Sequence, residues 1–198
     1  LVVSFGGVSE TRAALDRFRA KVQAAGFPNL HLNAIVWNRT ILPGEKVPTD
    51  PNTLINLLGF DSFTSYVWIH HDVMDTFPET DYAVARDKYF AYWDRAEADF
   101  DLPYYPNITM GWDPSPRTVQ SGPYLDAGYP FTATLANNTP AQFRLALKLA
   151  KARLERRPAA ARVLTLNAWN EWTESSYLEP DTEHGMGYLE AIRDVFGT

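Results

Sequence analysis

Two carboxylates lie three residues apart in a segment rich in asparagine and tryptophan. Glu171 and Glu174 follow the apolar run at residues 163–166, which is typical of a strand buried on both faces in a parallel sheet. Functional sites of α/β folds are built at the carboxyl ends of such strands. Glycoside cleavage requires a protonated acid beside an ionised carboxylate. The spacing therefore predicts acid–base chemistry on a sugar.

The alternative interpretation is that the two acids are structural and lie in a loop or cap a helix beside core tryptophans. Most charged residues are simply solvated surface. The neighbours favour the functional interpretation. Asn167, Trp169, Asn170 and Trp172 surround the acids, and such a polar and aromatic group has no reason to lie in a core.

Composition sets broad limits on the class of protein. The 198 residues are 45% hydrophobic and 21% charged, as in ordinary globular proteins. The net charge of -6 disfavours a nucleic-acid partner, which would require a basic face. The chain contains no cysteine, which excludes disulfides and thiol chemistry. No apolar run reaches about 18 residues, so no membrane span is predicted. The sequence starts inside an apparent strand, so it does not indicate the cellular compartment of the protein.

Strand-like and helix-like patterns alternate about five times. Strands are predicted at residues 1–5, 30–37, 60–69, 108–112 and 163–166. Helices are predicted at 9–25, 83–98 and 187–196, with a short helix that ends at 58 and another that begins at 140. Ser9 is the expected cap of the first helix, and Thr139 with Gln142 has the form of a capping box. The expected inward faces are Leu15, Phe18, Val22 and Ala25 in the first helix, and Leu189, Ile192 and Phe196 in the last.

This alternation predicts an α/β fold with a parallel sheet and outer helices. An open doubly wound sheet and a (β/α)8 TIM-type barrel both satisfy it. Five units cannot close an eight-stranded barrel of about 250 residues. The barrel interpretation therefore makes residues 1–198 the carboxyl-terminal portion of a single domain, with three further units before Leu1. No glycine-rich phosphate-binding motif follows a strand, so a Rossmann fold fits less well.

Further candidate residues follow predicted strands and would converge on one face of a barrel. They are Trp37, His70, His71, Trp112, Asp113 and Arg117. Alternatives stay open for each kind: Trp37 as a core aromatic, the histidines as loop residues, and Asp113 with Arg117 as a salt bridge that fixes a loop. The histidine pair lacks the spacing of zinc ligands, so no metal or cofactor is predicted.

Two sequence blocks resemble a known family. The segment N-A-W-N-E-W-T-E at 167–174, followed by Y-L-E-P-D at 177–181 and G-Y-L-E-A at 187–191, resembles the carboxyl-terminal signature of WbsX-like proteins. These are similar to the endo-α-mannosidases of glycoside hydrolase family 99. The block G-W-D-P-S-P-R at 111–117 resembles a second part of the same families, and residues 59–62 a weaker third. The resemblance implies a (β/α)8 barrel acting on an oligosaccharide or polysaccharide, with Tyr177 and Glu179 added to the substrate-binding residues.

The resemblance also implies a retaining mechanism through a 1,2-anhydro sugar. Glu171 would remove the proton of the 2-hydroxyl, and Glu174 would protonate the leaving oxygen and later activate water. The indoles are expected to keep Glu174 protonated, and hydrogen bonds from Asn167 or Asn170 to keep Glu171 ionised. WbsX-like proteins also carry a glycosyltransferase label, so a transferase of surface polysaccharide and a non-catalytic carbohydrate-binding relic stay as alternatives. Open sheet edges would permit pairing with a second copy.

Overall fold

The computed structural model describes residues 7–37 and 50–197, and the chain divides into two compact units. The first comprises residues 1–66 and 93–105, and the second comprises 67–92 and 106–198. The strand predicted at 1–5 and most of the loop at 38–51 lie outside the described residues.

The helices are α1 (Val8–Ala24), α2 (Pro51–Leu58), α3 (Tyr82–Asp99), α4 (Pro140–Leu154) and α5 (Gly187–Phe196). The strands are β1 (Asn33–Ile35), β2 (Ser62–Thr64), β3 (Glu79–Asp81), β4 (Tyr104–Tyr105), β5 (Asn107–Thr109), β6 (Thr134–Ala136), β7 (Thr165–Asn167), β8 (Asn170–Glu171) and β9 (Ser176–Tyr177).

The first unit is a parallel sheet in the order β1-β2-β4 accompanied by α1, α2 and the carboxyl-terminal part of α3. Phe63 is its centre: the ring is fully buried and lies 4.2 Å from the ring of Phe100 and 4.9 Å from that of Tyr104, measured between centroids. A second cluster joins α2 to α1, because Leu54 and Leu58 pack against Leu15. These contacts fix both helices by burying apolar side chains.

The first helix departs from its prediction in two respects. Its N-cap is Gly7, with φ of 148°, and no side chain caps it, so the expected cap by Ser9 is wrong. The predicted inward face is only partly covered. Leu15 packs against α2, whereas half of the Phe18 surface is exposed.

The predicted strands are shorter in the structure because their backbone donors bond elsewhere. In the run 60–69, the N–H of Phe60 donates to the carbonyl of Ile55 at the end of α2. The N–H of Trp68 donates to the hydroxyl oxygen of Thr109 at 3.0 Å. Only β2 remains as a strand, and residues 68–71, including the histidine pair, form a 3-10 helix.

The second unit holds β5 and β7 as a parallel pair, with Thr109 opposite Asn167. This arrangement confirms the parallel pairing predicted before the acids, but β7 begins at Thr165. The predicted burial on both faces is wrong, because Val163 is exposed and Thr165 and Leu166 are only partly buried. Buried aromatic side chains hold β5: the indole Nε1 of Trp68 donates to Asn107 O at 2.9 Å, and the Tyr82 hydroxyl donates to Thr109 O at 2.7 Å. Strands β3 and β6 form another parallel pair, and β8 and β9 form an antiparallel hairpin.

Helices α4 and α5 pack together in the second unit. The cap of α4 is confirmed, since the Thr139 side chain accepts from the Gln142 N–H, whereas the Gln142 side chain accepts from Arg86. The inward face predicted for α5 is wrong by one residue, because Tyr188, Ala191 and Val195 are the buried ones. The Tyr188 hydroxyl donates to Asn138 O, so the ring is buried with its polar end satisfied.

The α/β class is therefore confirmed, in small and mostly parallel sheets. The strands of the described residues form one three-stranded and three two-stranded sheets, and no complete eight-stranded barrel is among them. Within residues 7–37 and 50–197, no helix has both the length and the apolar character that a membrane crossing requires.

Candidate functional site

A short hairpin after β7 positions the two acids. The peptide bond between Asn167 and Ala168 is cis. The Trp169 carbonyl accepts from the N–H groups of Leu178 and Glu179, which closes the hairpin formed by β8 and β9. Between these strands, residues 172–174 form a 3-10 helix that ends at Ser175 with φ of 48°. Glu171 precedes this turn and Glu174 closes it, so the turn itself sets their separation.

Both acids contact one guanidinium group. Arg117 Nη2 lies 2.5 Å from Glu171 Oε1, and Arg117 Nη1 lies 3.1 Å from Glu174 Oε1. Arg117 Nε donates to the Thr173 hydroxyl at 2.8 Å, and Nη1 also donates to the Tyr129 hydroxyl. We call Arg117, Tyr129, Glu171, Thr173 and Glu174 the carboxylate cluster. It brings together three polar groups from the hairpin and two from the long loop that follows β5.

Hydrogen bonds within the carboxylate cluster are directed at one oxygen of each acid. Glu174 Oε1 accepts from the Tyr129 hydroxyl at 2.8 Å and forms an ion pair with Arg117. Glu171 Oε1 accepts from the Thr173 hydroxyl at 3.3 Å, in addition to Arg117. Among the residues that the structure describes, the Oε2 atom of each acid accepts no hydrogen bond. Each acid is thus held by one oxygen and has the other available.

The charges of the cluster shift the pKa values of Arg117 and Tyr129. Burial lowers the pKa of Arg117, but attraction by Glu174, the bond to Tyr129 and attraction by Glu171 outweigh it and raise the pKa. The pKa of Tyr129 is raised by burial and by Glu174, against the opposing effect of Arg117. Arg117 is therefore cationic and Tyr129 a neutral donor at physiological pH.

Main-chain contacts join the hairpin to the segment after β5. The Asp113 N–H donates to Glu174 O at 2.7 Å, the Ser176 hydroxyl donates to Gly111 O, and the Tyr177 N–H lies 3.0 Å from the sulfur of Met110. Gly111 is required at this junction, because a Cβ there would lie 2.5 Å from Ser175 O. The two sequence blocks that resemble a family are thus in direct contact.

Aromatic rings form an open surface on the hairpin. Trp172 stacks on Tyr177 with 3.7 Å between ring centroids, and its indole Nε1 donates to Glu179 Oε2 at 2.6 Å. Trp169 is 55% exposed and Trp172 is 44% exposed. These exposed indoles, of which Trp172 is held by a hydrogen bond, present apolar surface of the kind that stacks on sugar rings.

A cavity of about 400 Å³ is lined in part by Trp112, Asp113, Ser175, Tyr177, His184 and Tyr188. Trp112 is 3% exposed and donates from its indole nitrogen to the Thr132 hydroxyl at 3.3 Å. The Asp113 side chain accepts from the Ser115 N–H at 2.9 Å. The cavity combines aromatic rings with polar groups, as ligand sites do.

The remaining predicted site residues have varied surroundings. Asn167 is buried, and its side-chain oxygen accepts no hydrogen bond within the described chain, whereas Asn170 is exposed. His71 is buried and stacks on Tyr92 at 3.7 Å, and burial lowers the pKa of His70 to about 4. Trp37 belongs to the first unit and is 45% exposed.

Two expectations about partners, and one of the alternatives for Arg117, require correction. Glu171 accepts from Arg117 and Thr173 rather than from Asn167 or Asn170. The partners of Glu174 are a guanidinium and a phenol rather than indoles. Arg117 pairs with Glu171 and Glu174 instead of with Asp113. The reason is the turn at 172–174, which aims both carboxylates at the long loop.

Sequence reasoning missed Tyr129 and Thr173. Tyr129 stands alone in a long loop without periodicity, and no motif identifies it. Thr173 lies between the two acids, and its hydroxyl was a usable signal because short polar side chains in turns bond to their neighbours.

Comparisons with known proteins bear on the fold and on the family. A solved structure described as a "Glycoside hydrolase-like protein" matches with a TM-score of 0.59 at 14% identity, covering 95% of this chain and 50% of that chain. At this identity the match concerns the fold. Two curated relatives, each named "Uncharacterized protein WxcX" and from two strains of Xanthomonas campestris pv. campestris, are 37% identical over 97 residues. The match covers 48% of this chain and only 12% of each relative.

The sequence profile of the family described as "Glycosyltransferase WbsX" matches residues 5–192. That range includes the hairpin, the long loop and both contacting sequence blocks. The chain belongs to the WbsX glycosyltransferase family.

Proposed function

We propose that the chain supplies the acid–base pair of a carbohydrate-active site that cleaves an α-linked glycan. The observation that carries this proposal is the contact of one guanidinium with both Glu171 and Glu174. Such a contact keeps the two carboxyl groups close. Closely spaced pairs, about 5–5.5 Å apart, are typical of retaining glycosidases, whereas inverting enzymes leave about 6.5–9.5 Å for a water.

The proposed reaction has two steps. Glu171 takes the proton of the 2-hydroxyl, the 2-oxygen attacks the anomeric carbon, and the leaving oxygen takes a proton from Glu174. The product of this step is a 1,2-anhydro sugar. Water then attacks the anomeric carbon and gives its proton to Glu174, while the 2-oxygen regains its proton from Glu171. Both acids return to their starting states, and the configuration is retained.

Charge balance supports these roles. Arg117 carries one positive charge and faces two carboxylates. When one acid holds a proton, Arg117 balances the charge of the other, and repulsion between two anions is avoided. One protonated and one ionised acid is the state that the first step requires. The exposed rings of Trp169 and Trp172 would stack on the glycan next to the acids.

The larger architecture is part of the proposal. We infer that residues 1–198 form the carboxyl-terminal portion of a (β/α)8 barrel. Parallel pairing of β5 with β7 and of β1, β2 and β4 supports it, as does the match to half of a glycoside hydrolase-like structure. In such a barrel the hairpin and the loop after β5 would open on the catalytic face.

A second candidate function is transfer of a sugar in polysaccharide synthesis. The family description, "Glycosyltransferase WbsX", favours it. A transferase that uses a nucleotide sugar would bind that donor, which calorimetry measures directly. A non-catalytic glycan-binding protein, in contrast, would keep its glycan affinity in Glu171→Gln and Glu174→Gln and show no turnover.

Hydrolysis of an α-linked oligosaccharide panel tests the main proposal. The wild type is expected to cleave at least one member, with NMR showing that the product initially retains the anomeric configuration. Glu171→Gln and Glu174→Gln are each expected to lose about 10²- to 10⁴-fold in kcat. Glu155→Gln, an exposed carboxylate at the end of α4, is the control with unchanged kcat. Unchanged hydrolysis in Glu174→Gln would overturn the assignment.

A further inference from the structure

Tyr129 is the member of the carboxylate cluster that motif and resemblance did not identify. It lies on the long loop between β5 and β6, 45 residues before Glu174, and its hydroxyl donates to Glu174 Oε1 at 2.8 Å. The same hydroxyl accepts from Arg117 Nη1. It therefore has one donor and one acceptor partner, which fixes the direction of its proton towards Glu174.

This direction has a consequence for Glu174. Oε1 accepts a hydrogen bond from Tyr129 and forms an ion pair with Arg117, whereas Oε2 accepts no hydrogen bond among the described residues. The Glu174 side chain is only 9% exposed, so water has limited access to the carboxylate. Since proton transfer to a leaving oxygen depends on the placement of a single carboxyl oxygen, holding Oε1 determines where Oε2 points.

We propose that Tyr129 is a positioning residue for Glu174. With Arg117 it holds Oε1 in place and thereby presents Oε2 to the glycosidic oxygen. Tyr129 acts through Glu174, because its hydroxyl proton is directed at Glu174 Oε1. This inference rests on the proposed hydrolytic function.

The test compares two substrates that differ in their need for an acid. A glycoside with an alcohol leaving group requires protonation, whereas the corresponding α-glycosyl fluoride departs without it. Tyr129→Phe keeps the ring and removes the hydroxyl. We expect kcat/KM on the alcohol-leaving glycoside to fall about ten- to hundred-fold and kcat/KM on the fluoride to stay near the wild-type value. The ratio kcat/KM reports the glycosylation step and excludes the later attack of water, at which Glu174 acts on both substrates. In the glycosylation step, Glu174→Gln should likewise lose activity on the alcohol-leaving glycoside and not on the fluoride, and its loss should be larger than that of Tyr129→Phe.

Tyr124→Phe is the matched loop control. Its hydroxyl donates to Thr132 O at 2.5 Å in the same loop and makes no contact with Glu174. A loosened loop would slow both substrates alike, so Tyr124→Phe should show no dependence on the leaving group. An equal loss on both substrates in Tyr129→Phe, or no loss, overturns the positioning role.

A second measurement does not depend on activity. The carboxyl ¹³C resonance of Glu174, assigned by its absence in Glu174→Gln, should shift in Tyr129→Phe and stay in place in Tyr124→Phe. An unchanged resonance in Tyr129→Phe contradicts the inference. If the wild type cleaves neither substrate, the hydrolase proposal fails and this comparison alone decides whether Tyr129 holds Glu174.

Discussion

Arg117 and Glu174 form an ion pair of unequal exposure. The 3.1 Å contact joins a guanidinium that is 35% exposed to a carboxylate that is 9% exposed. The carboxylate is therefore the enclosed partner, and the arginine reaches it from the open side. The same guanidinium contacts Glu171, Thr173 and Tyr129, so its loss would affect the whole carboxylate cluster.

Arg117→Lys should reduce catalysis far more than stability. Lysine keeps the positive charge but lacks the planar fork that donates to several partners at once. We expect kcat to fall about ten-fold or more, with less than about 1 kcal/mol lost from the free energy of unfolding, because the pair is partly exposed. Steady-state kinetics and urea unfolding measure the two effects. Arg12→Lys, in an exposed pair with Asp16, is the control and should change neither.

Gly111→Ala should destabilise the protein. A Cβ at position 111 would lie 2.5 Å from Ser175 O and 2.5 Å from Asn138 Nδ2, and the first of these atoms belongs to the backbone. We expect a loss of about 1–3 kcal/mol in the free energy of unfolding, measured by urea unfolding. Gly122→Ala is the matched control, because its Cβ would meet nothing nearer than Val119 O at 3.7 Å. Equal stability of the two variants would contradict the close approach of the hairpin to the segment after β5.

Trp172→Ala should weaken glycan binding. The exposed ring stacks on Tyr177 and is held by Glu179, so its open face is available for a sugar. We expect about a five- to ten-fold increase in the Kd for a glycan that the wild type binds, which corresponds to about 1 kcal/mol. Calorimetry measures it. Phe27→Ala, which removes an exposed ring of the first unit, should leave the Kd unchanged, and an equal effect of both would refute a specific role.

His70 should contribute to the acid sensitivity of folding. Burial lowers its pKa to about 4 in the folded state, against about 6.5 in an unfolded chain. Between these values the unfolded state binds more protons, so the free energy of unfolding decreases as the pH falls from about 6.5 to 4. We expect His70→Gln to remove up to about 2 kcal/mol of the stability loss between pH 7 and pH 5. Urea unfolding at both pH values tests this, and an identical loss in variant and wild type would show that His70 does not contribute.

The sequence was most informative where local signals dominate. The cap at Thr139 and the apolar spacing of α3 and α4 predicted helix positions within about two residues, because caps and periodicity act within one turn. The strands were predicted too long, since the bonds that end them, such as Trp68 N–H to Thr109, join residues that are distant in sequence. No local pattern reveals such a bond.

The same distinction applies to the site. Glu171 and Glu174 were identified because both lie in one short block, and the turn between them is local. The contact of Arg117 with Glu171 spans 54 residues, and the sequence offered only a nearby alternative, a salt bridge of Arg117 with Asp113, four residues away. Tyr129 carried no signal, because its role arises only when the long loop lies against the hairpin.

The bond from the Asp113 N–H to the Glu174 carbonyl joins the two blocks through the backbone alone. Any residue except proline at position 113 can make this bond, so the identity of the side chain there is free to vary without separating the blocks. Other contacts between segments 111–117 and 170–177 do depend on side chains, namely that of Ser176 with Gly111 O and that of Arg117 with Glu171. In a chimera, exchanging only one segment with a distant relative would put these contacts at risk, whereas exchanging both together would preserve the placement of the acid.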